Sequence, residues 1–270
     1  MTMHRISAKT AFKSRPFAYV FSRVVKIFAS AMKQFFRLHF WMFPDKRFEI
    51  PPYSPPIWRS KKAVGIPRTV WQTNYSDKVT LAVYFANRFN RLLAPTFEFC
   101  FINDDEQIAF IAENYPEEVN AAFTRLQIGA AKADYWRVLT LIKKGGVYLD
   151  IDANLASPLE WTLHDNTSEL FIIDRKGLVT NSFLATVPEN PIFHRIADQI
   201  RQNIADPKQS DVFHMTGPGA VWQVLEDCSY NSCSYRSVSH QGQFNNPTLQ
   251  YPDKGRGKWW QEQNERDIRK

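Results

Sequence analysis

Cysteine is scarce: Cys100, Cys228 and Cys233 are the three in 270 residues. They have no metal-ligand spacing. Cys228 and Cys233 are spaced to bridge, but an odd count and sparse use favour a reducing compartment over a disulfide scaffold. No acidic residue precedes Asp45. No uninterrupted apolar run approaches the roughly 20 residues that span a bilayer, so an ordinary transmembrane helix is not expected. Internal repeats, long low-complexity tracts and an obvious covalent nucleophile are also missing. What is present is a chain with 44% hydrophobic residues, enough to bury the core of one α/β domain.

The net charge of +7 is unevenly placed. Ten cations in residues 1 to 48 face only Asp45, giving that segment +9 and leaving −2 for the rest. The basic pI therefore belongs to the N-terminal segment, and a nucleic-acid-binding body is not expected. Between Phe17 and Phe43, Arg23, Lys26, Ser30, Lys33, Gln34 and Arg37 recur every three or four residues, while Val20, Phe21, Val24, Val25, Ile27, Phe28, Phe35 and Phe36 cover much of the remainder. This spacing predicts a basic amphipathic helix lying on an anionic membrane surface through residues 17–43, with Phe40 and Trp41 at its end. Packing on the following domain, pairing with a second copy and an organellar transit peptide are the rival readings. The tract Ile50-Pro-Pro-Tyr-Ser-Pro-Pro56 reads as a stiff linker. The division expected is thus 1–48 for the basic segment, 49–63 for the linker and 64–270 for the domain.

Within the domain, Gly145-Gly-Val-Tyr-Leu-Asp-Ile-Asp152 places two aspartates one residue apart. On an extended strand, residues i and i+2 share a face, so Asp150 and Asp152 would converge on one point. Carboxylates that close repel unless a cation sits between them, and oxygen ligands suit a hard divalent ion. Upstream, Leu126 to Lys144 has no proline and no glycine after Gly129, which predicts a long helix, and Gly145-Gly146 supplies its stop. Asp134 and Arg137 fall on the apolar face of that helix. They are either a self-satisfying i, i+3 pair or an acid and a guanidinium delivered beside the aspartates, the guanidinium suited to phosphate.

The stretch Ala131-Lys-Ala-Asp-Tyr-Trp-Arg-Val-Leu-Thr-Leu-Ile-Lys-Lys-Gly-Gly-Val-Tyr-Leu-Asp-Ile-Asp152 resembles the core of the DXD-motif sugar transferases, the family 32-like glycosyltransferases similar to yeast initiation-type mannosyltransferases and to bacterial capsular and lipopolysaccharide sugar transferases. Ile66-Pro-Arg-Thr-Val-Trp-Gln-Thr73, Phe101-Ile-Asn-Asp-Asp-Glu106, Asn181-Ser-Phe-Leu-Ala185 and Thr216-Gly-Pro-Gly219 agree in order. The resemblance implies an α/β fold of GT-A type, a mostly parallel sheet flanked by helices, and a retaining enzyme that uses Mn2+ or Mg2+ and a UDP- or GDP-sugar donor. It implies metal ligation by Asp150 and Asp152, and catalytic roles for Asp134, Arg137 and Asn181. Donor binding would fall to Asp134, Arg137 and Asp150, to Trp71 against the base, to Gly217, and to Trp259 and Trp260 in a terminal tryptophan loop that begins at Gly257. The family's histidine before that loop is not evident, and Asp253 or His240 would serve as third ligand only if the loop folds back. A glycan or glycolipid acceptor follows, with a setting in surface polysaccharide synthesis at the cytoplasmic face of a bacterial inner membrane, or in the Golgi. Two other classes compete. A haloacid-dehalogenase-like phosphatase would use Asp150 as nucleophile, although Asn154 stands where that class wants Thr or Val. A non-catalytic sugar-binding protein could also retain the fold.

Overall fold

The computed structural model describes residues 10–11, 16–60, 65–163, 167–253 and 259–270. Gly257 and Lys258 of the expected tryptophan loop lie outside these. In chain order the strands are β1 (Thr10–Ala11), β2 (Phe48–Glu49), β3 (Tyr53–Ser54), β4 (Thr69–Thr73), β5 (Lys78–Val79), β6 (Glu98–Ile102), β7 (Gly146–Leu149), β8 (Ala153–Leu155), β9 (Glu169–Ile173), β10 (Val179–Thr186), β11 (Asn231–Ser234) and β12 (Ser239–Gln241). The helices are α1 (Pro16–Met42), α2 (Leu81–Leu93), α3 (Asp104–Asn114), α4 (Glu117–Arg125), α5 (Gly129–Lys144), α6 (Pro191–Ala205), α7 (Val212–Met215), α8 (Pro218–Leu225), α9 (Tyr235–Val238), α10 (Pro247–Gln250) and α11 (Trp259–Glu265).

The main sheet has the order β1-β11-β9-β10-β7-β4-β6-β3. It is mixed, which corrects the mostly parallel expectation. β4 runs parallel to both β6 and β7, but β10 is antiparallel to β7 on one side and to β9 on the other. The cause is a short connection: only the turn at Asp174–Leu178 joins β9 to β10, with Leu178 O accepting from Asp174 N at 2.8 Å and Gly177 at φ 81°. Strands joined so tightly can only pair antiparallel. At the far edge, Tyr53 and Ser54 pair with Cys100 and Phe99. The Pro-rich tract is therefore built into the sheet rather than standing off as a spacer.

Alternation along the strands divides the core in two. Tyr148, Phe171 and Leu184 join the cluster packed under α5, α6 and α8, whereas Val147, Leu149, Leu170, Ile172, Phe183 and Ala185 join the one on the opposite face. Every residue of β7 is buried, as a central strand covered on both faces must be. Helix α5 begins at Gly129, three residues after its expected start, and stops at Gly145, whose N–H donates to Leu141 O at 2.9 Å. Gly145 and Gly146 have φ of 64° and 101°. A Cβ on Gly146 would lie 2.6 Å from Thr69 O, so glycine is required for α5 to turn straight into β7.

Helix α1 forms as its periodicity predicts, and it packs on the domain. Ala18, Ser22, Val25, Ala29 and Phe36 are buried at spacings of three, four and seven. Phe36 packs against Phe85 and Phe244, and Phe21 against Trp161. The opposite side keeps Phe17, Val20, Val24, Ile27, Phe35, Leu38 and Trp41 exposed. The sequence had treated these apolar residues as one face; the fold splits them into an inner and an outer stripe, with the cations along one border. No described helix is long and apolar enough to cross a membrane.

Candidate active site

A cavity of about 630 Å3 opens where β4 and β7 end and β10 begins, beside α5. Asp134, Arg137, Asp150, Asp152, Asn181, Gly217, Trp259 and Trp260 all line it. They come from separate parts of the chain, but one network holds the floor together. On α5, Arg137 pairs with Asp134 at 3.0 Å and with Asp150 at 3.4 Å. Its Nη1 donates to Asn181 O at 2.5 Å and its Nε to Ala133 O at 3.2 Å, and the guanidinium lies 4.3 Å from the Tyr148 ring centroid. The guanidinium is thus committed to protein acceptors. It meets the cavity as the buried counter-charge of two carboxylates, and the free, phosphate-ready fork expected from the sequence is not what the fold presents.

Asp134 is buried, with Asn181 Nδ2 and Thr216 Oγ1 each donating to it at 3.4 Å. Burial above all, and the neighbouring Asp150 charge, push its carboxyl up to about 6 against the pull of Arg137. Burial likewise works against the charge on Arg137, but Tyr148 and the carboxylates of Asp150 and Asp134 outweigh it and hold the guanidinium charged. Asn181 owes its aim to an irregularity in β10. Between Thr180 and Leu184 the register with β9 shifts, and this bulge places Asn181 and Ser182 at the cavity. Among the described residues Asn181 Oδ1 is buried without a hydrogen-bond partner.

Asp150 and Asp152 converge, though not on a strand. β7 ends at Leu149, and a turn closed by Ala153 N donating to Asp150 O at 2.9 Å carries both aspartates. Two hydrogen bonds fix Asp150 there: its N–H donates to Ser182 O at 2.9 Å, and the Tyr148 hydroxyl donates to its Oδ1 at 2.8 Å. Gln241 Nε2 then bridges Asp150 Oδ2 at 3.1 Å and Asp152 Oδ1 at 3.2 Å. Burial and the adjacent Asp150 push Asp152 up to about 7. Three carboxylates share one arginine here, and the excess negative charge is concentrated on oxygens that meet at the cavity mouth. Such a donor set fits a hard divalent ion that takes its other ligands from phosphate and water. Among the described residues no group of three or more His, Cys, Asp or Glu side chains comes together as a metal site.

The two candidate third ligands are placed elsewhere. Asp253 is bound by Arg47 at 2.5 Å, and His240 lines a separate small cavity, edge-on to Tyr235 at 6.0 Å. Trp71 is also corrected: its indole donates to Gly145 O at 2.9 Å, its ring packs on the core, and it does not line the cavity. Tyr75, four residues on, does. Gly217 reaches the cavity, but its N–H and that of Thr216 already donate to Val212 O, at 3.0 and 3.1 Å, so they are not offered to a ligand. A Cβ at Gly217 would lie 2.9 Å from Phe213 O, which accounts for the glycine by packing. Tyr148 and Gln241 are the residues that sequence reasoning missed. Tyr148 carried a signal, lying two before Asp150; Gln241 carried none, since it arrives only because β12 pairs with β8.

Residues 82–169 match the family model described as a glycosyltransferase sugar-binding region containing a DXD motif. The initiation-specific alpha-1,6-mannosyltransferase of Schizosaccharomyces pombe is 30% identical over 91 residues, covering 32% of this chain and 23% of that protein. Its Saccharomyces cerevisiae counterpart is 30% identical over 112 residues, covering 39% and 23%. The chain thus spans about a quarter of the length of these curated relatives. Among solved structures, PaToxG glycosyltransferase is similar over 77% of this chain and 78% of that one, at 13% identity and a TM-score of 0.48. The matched segment runs from α2 to the start of β9, and the similarity agrees there with the resemblance read from the sequence.

Proposed function

We propose that the chain is a metal-dependent, retaining glycosyltransferase of GT-A type that moves a sugar from a nucleotide-diphosphate donor to a glycan or glycolipid. The observation that carries this is the meeting of Asp150 and Asp152, tied by Gln241, at the mouth of a 630 Å3 cavity floored by Asp134, Arg137 and Asn181. Asp150 and Asp152 would hold Mn2+ or Mg2+, which when bound neutralises the charge that develops on the departing diphosphate. Arg137 fixes Asp134 and Asp150 and keeps both oriented toward the cavity. Asp134 and the unpartnered Oδ1 of Asn181 would take hydroxyls of the donor sugar, so that the reacting carbon is held in place before transfer. Trp259 and Trp260, 40% and 46% exposed at the cavity, would cover the bound donor and exclude water.

The outer stripe of α1, with Arg23, Lys26 and Arg37 beside it, would rest on an anionic membrane surface and bring the cavity to a membrane-borne acceptor. A role in surface polysaccharide synthesis at the cytoplasmic face of a bacterial inner membrane is the setting proposed, with the Golgi as the alternative. A manganese-supported screen of UDP- and GDP-sugars, reading binding and hydrolysis together, tests the enzymatic reading. Hydrolysis of at least one donor is expected. Trapping of an aspartyl phosphate on Asp150, with no donor hydrolysed, would move the protein to the phosphatase class.

A further inference from the structure

A second cavity, about 180 Å3, lies where α1, the β9–β10 turn, α9 and β12 meet. Four cations line it: Arg23 and Lys26 from α1, Arg175 from the turn and Arg236 from α9. No carboxylate does, and among the described residues none of the four forms an ion pair. Two of them are held by phenols. Arg23 Nη2 donates to the Tyr19 hydroxyl at 2.6 Å and Arg175 Nε to the Tyr235 hydroxyl at 2.9 Å. The field is felt by the neighbours: Arg23 lowers the Tyr19 phenol, Arg175 and Arg236 lower that of Tyr235, and burial followed by Lys26 and Arg23 lowers His240.

Four like charges gathered around one concavity repel one another, and an anion placed among them converts that repulsion into attraction. Guanidinium groups held by tyrosine hydroxyls present planar donor forks suited to phosphate oxygens. The cavity is also adjacent to the active site, because Gln241 lines both and donates to Asp150 and Asp152. Lys33, about two helical turns beyond Lys26 on the same border of α1, donates to Gly242 O at 2.9 Å and pins the helix to this junction.

We propose that Arg23, Lys26, Arg175 and Arg236 form a subsite for a phosphate group carried by the acceptor. The acceptor assignment rests on the transferase reading, which gives the donor's phosphates to the carboxylate cavity and leaves this anion site to the other substrate. The phosphate arrives either on a lipid headgroup, beside the exposed apolar stripe of α1, or on a soluble phosphorylated acceptor.

The test uses the full chain in metal-free buffer with two probes. Glycerol 3-phosphate is followed by calorimetry, and phosphatidylcholine vesicles with and without phosphatidylglycerol by co-sedimentation. The double variant Arg175→Ala/Arg236→Ala, which leaves α1 intact, is compared with Lys143→Ala/Lys144→Ala, which removes two charges from the end of α5; thermal melting checks that both fold. The expected result is that the arginine variant weakens binding of a phosphate probe by roughly tenfold or more while the lysine variant does not. Loss of binding to vesicles alone supports a lipid phosphate, and loss to both probes supports a soluble one. Equal loss in the two variants, no loss in either, or no binding by the unaltered protein overturns the subsite. Donor hydrolysis by the unaltered protein with manganese is measured in parallel. Its absence sinks the transferase reading and with it the acceptor role, whatever the arginines do; its presence with arginine-independent probe binding sinks only the subsite.

Discussion

The two cavities that share Gln241 are opposites in charge and in construction. One gathers Asp134, Asp150 and Asp152 around a single arginine; the other gathers four cations and no carboxylate. The acidic cavity is buried at its floor, and that burial above all, with the Asp150 charge beside it, raises the carboxyls of Asp134 and Asp152. The four cations of the basic cavity are exposed, and their influence appears as the lowered phenols of Tyr19 and Tyr235. The first is a preorganised site in which removing the shared arginine should damage the fold. The second is a shallow one in which removing a charge should alter binding alone.

Arg137→Met breaks that comparison most severely. It leaves Asp134 and Asp150 without their counter-charge, and the expected loss is about 3–5 kcal/mol of stability, measured by urea denaturation. Stability within a few tenths of the unaltered protein would mean that the network is not what holds the floor.

Phe36→Ala on the inner stripe of α1 should cost about 3–5 kcal/mol at most, because Phe36 is 1% exposed among Phe85 and Phe244. Ile27→Ala on the outer stripe, where Ile27 is 73% exposed, should stay within about 0.5 kcal/mol and weaken vesicle binding instead. Equal effects on stability would contradict the two-faced helix.

Gln241→Ala touches both cavities. Removing the amide that donates to Asp150 and Asp152 is expected to destabilise the metal-free protein by about 1–2 kcal/mol, with less effect once manganese is added. A larger loss with the ion present would argue against its sitting at this pair.

The smallest effect is the pH response of His240. Its folded pKa is held below the ordinary value of about 6.5 chiefly by burial. Stability is therefore full above that value and falls as acid is added, since the unfolded chain takes up a proton that the folded one refuses. His240→Gln should flatten this part of the stability curve, and an unchanged curve would assign it to other groups.

How legible each cavity was follows from the way it is assembled. Asp134, Arg137, Asp150 and Asp152 lie in one stretch of 19 residues, where helix periodicity, a glycine stop and a carboxylate pair can be read together. Even there the local geometry differed, because a turn rather than the pleat of a strand brings the aspartates together. Trp71 sat at a strand whose alternation sends its ring into the core, a choice set by the register with β6 and β7. The mixed order of the sheet hung on a hairpin connection between β9 and β10 that no motif marks. The basic cavity draws on α1, the β9–β10 turn, α9 and β12, and nothing in their separate sequences links them. Gln241 is placed by strand pairing alone.

The central claim is that Asp150 and Asp152 hold the ion that makes donor cleavage possible. Asp152→Asn tests it most directly, by manganese-dependent hydrolysis of whichever nucleotide sugar the unaltered protein accepts. The expected result is a fall in kcat on the order of 10²–10³-fold, with a melting temperature no lower than before, since the amide removes repulsion with Asp150. Near-normal, still manganese-dependent turnover would contradict the account.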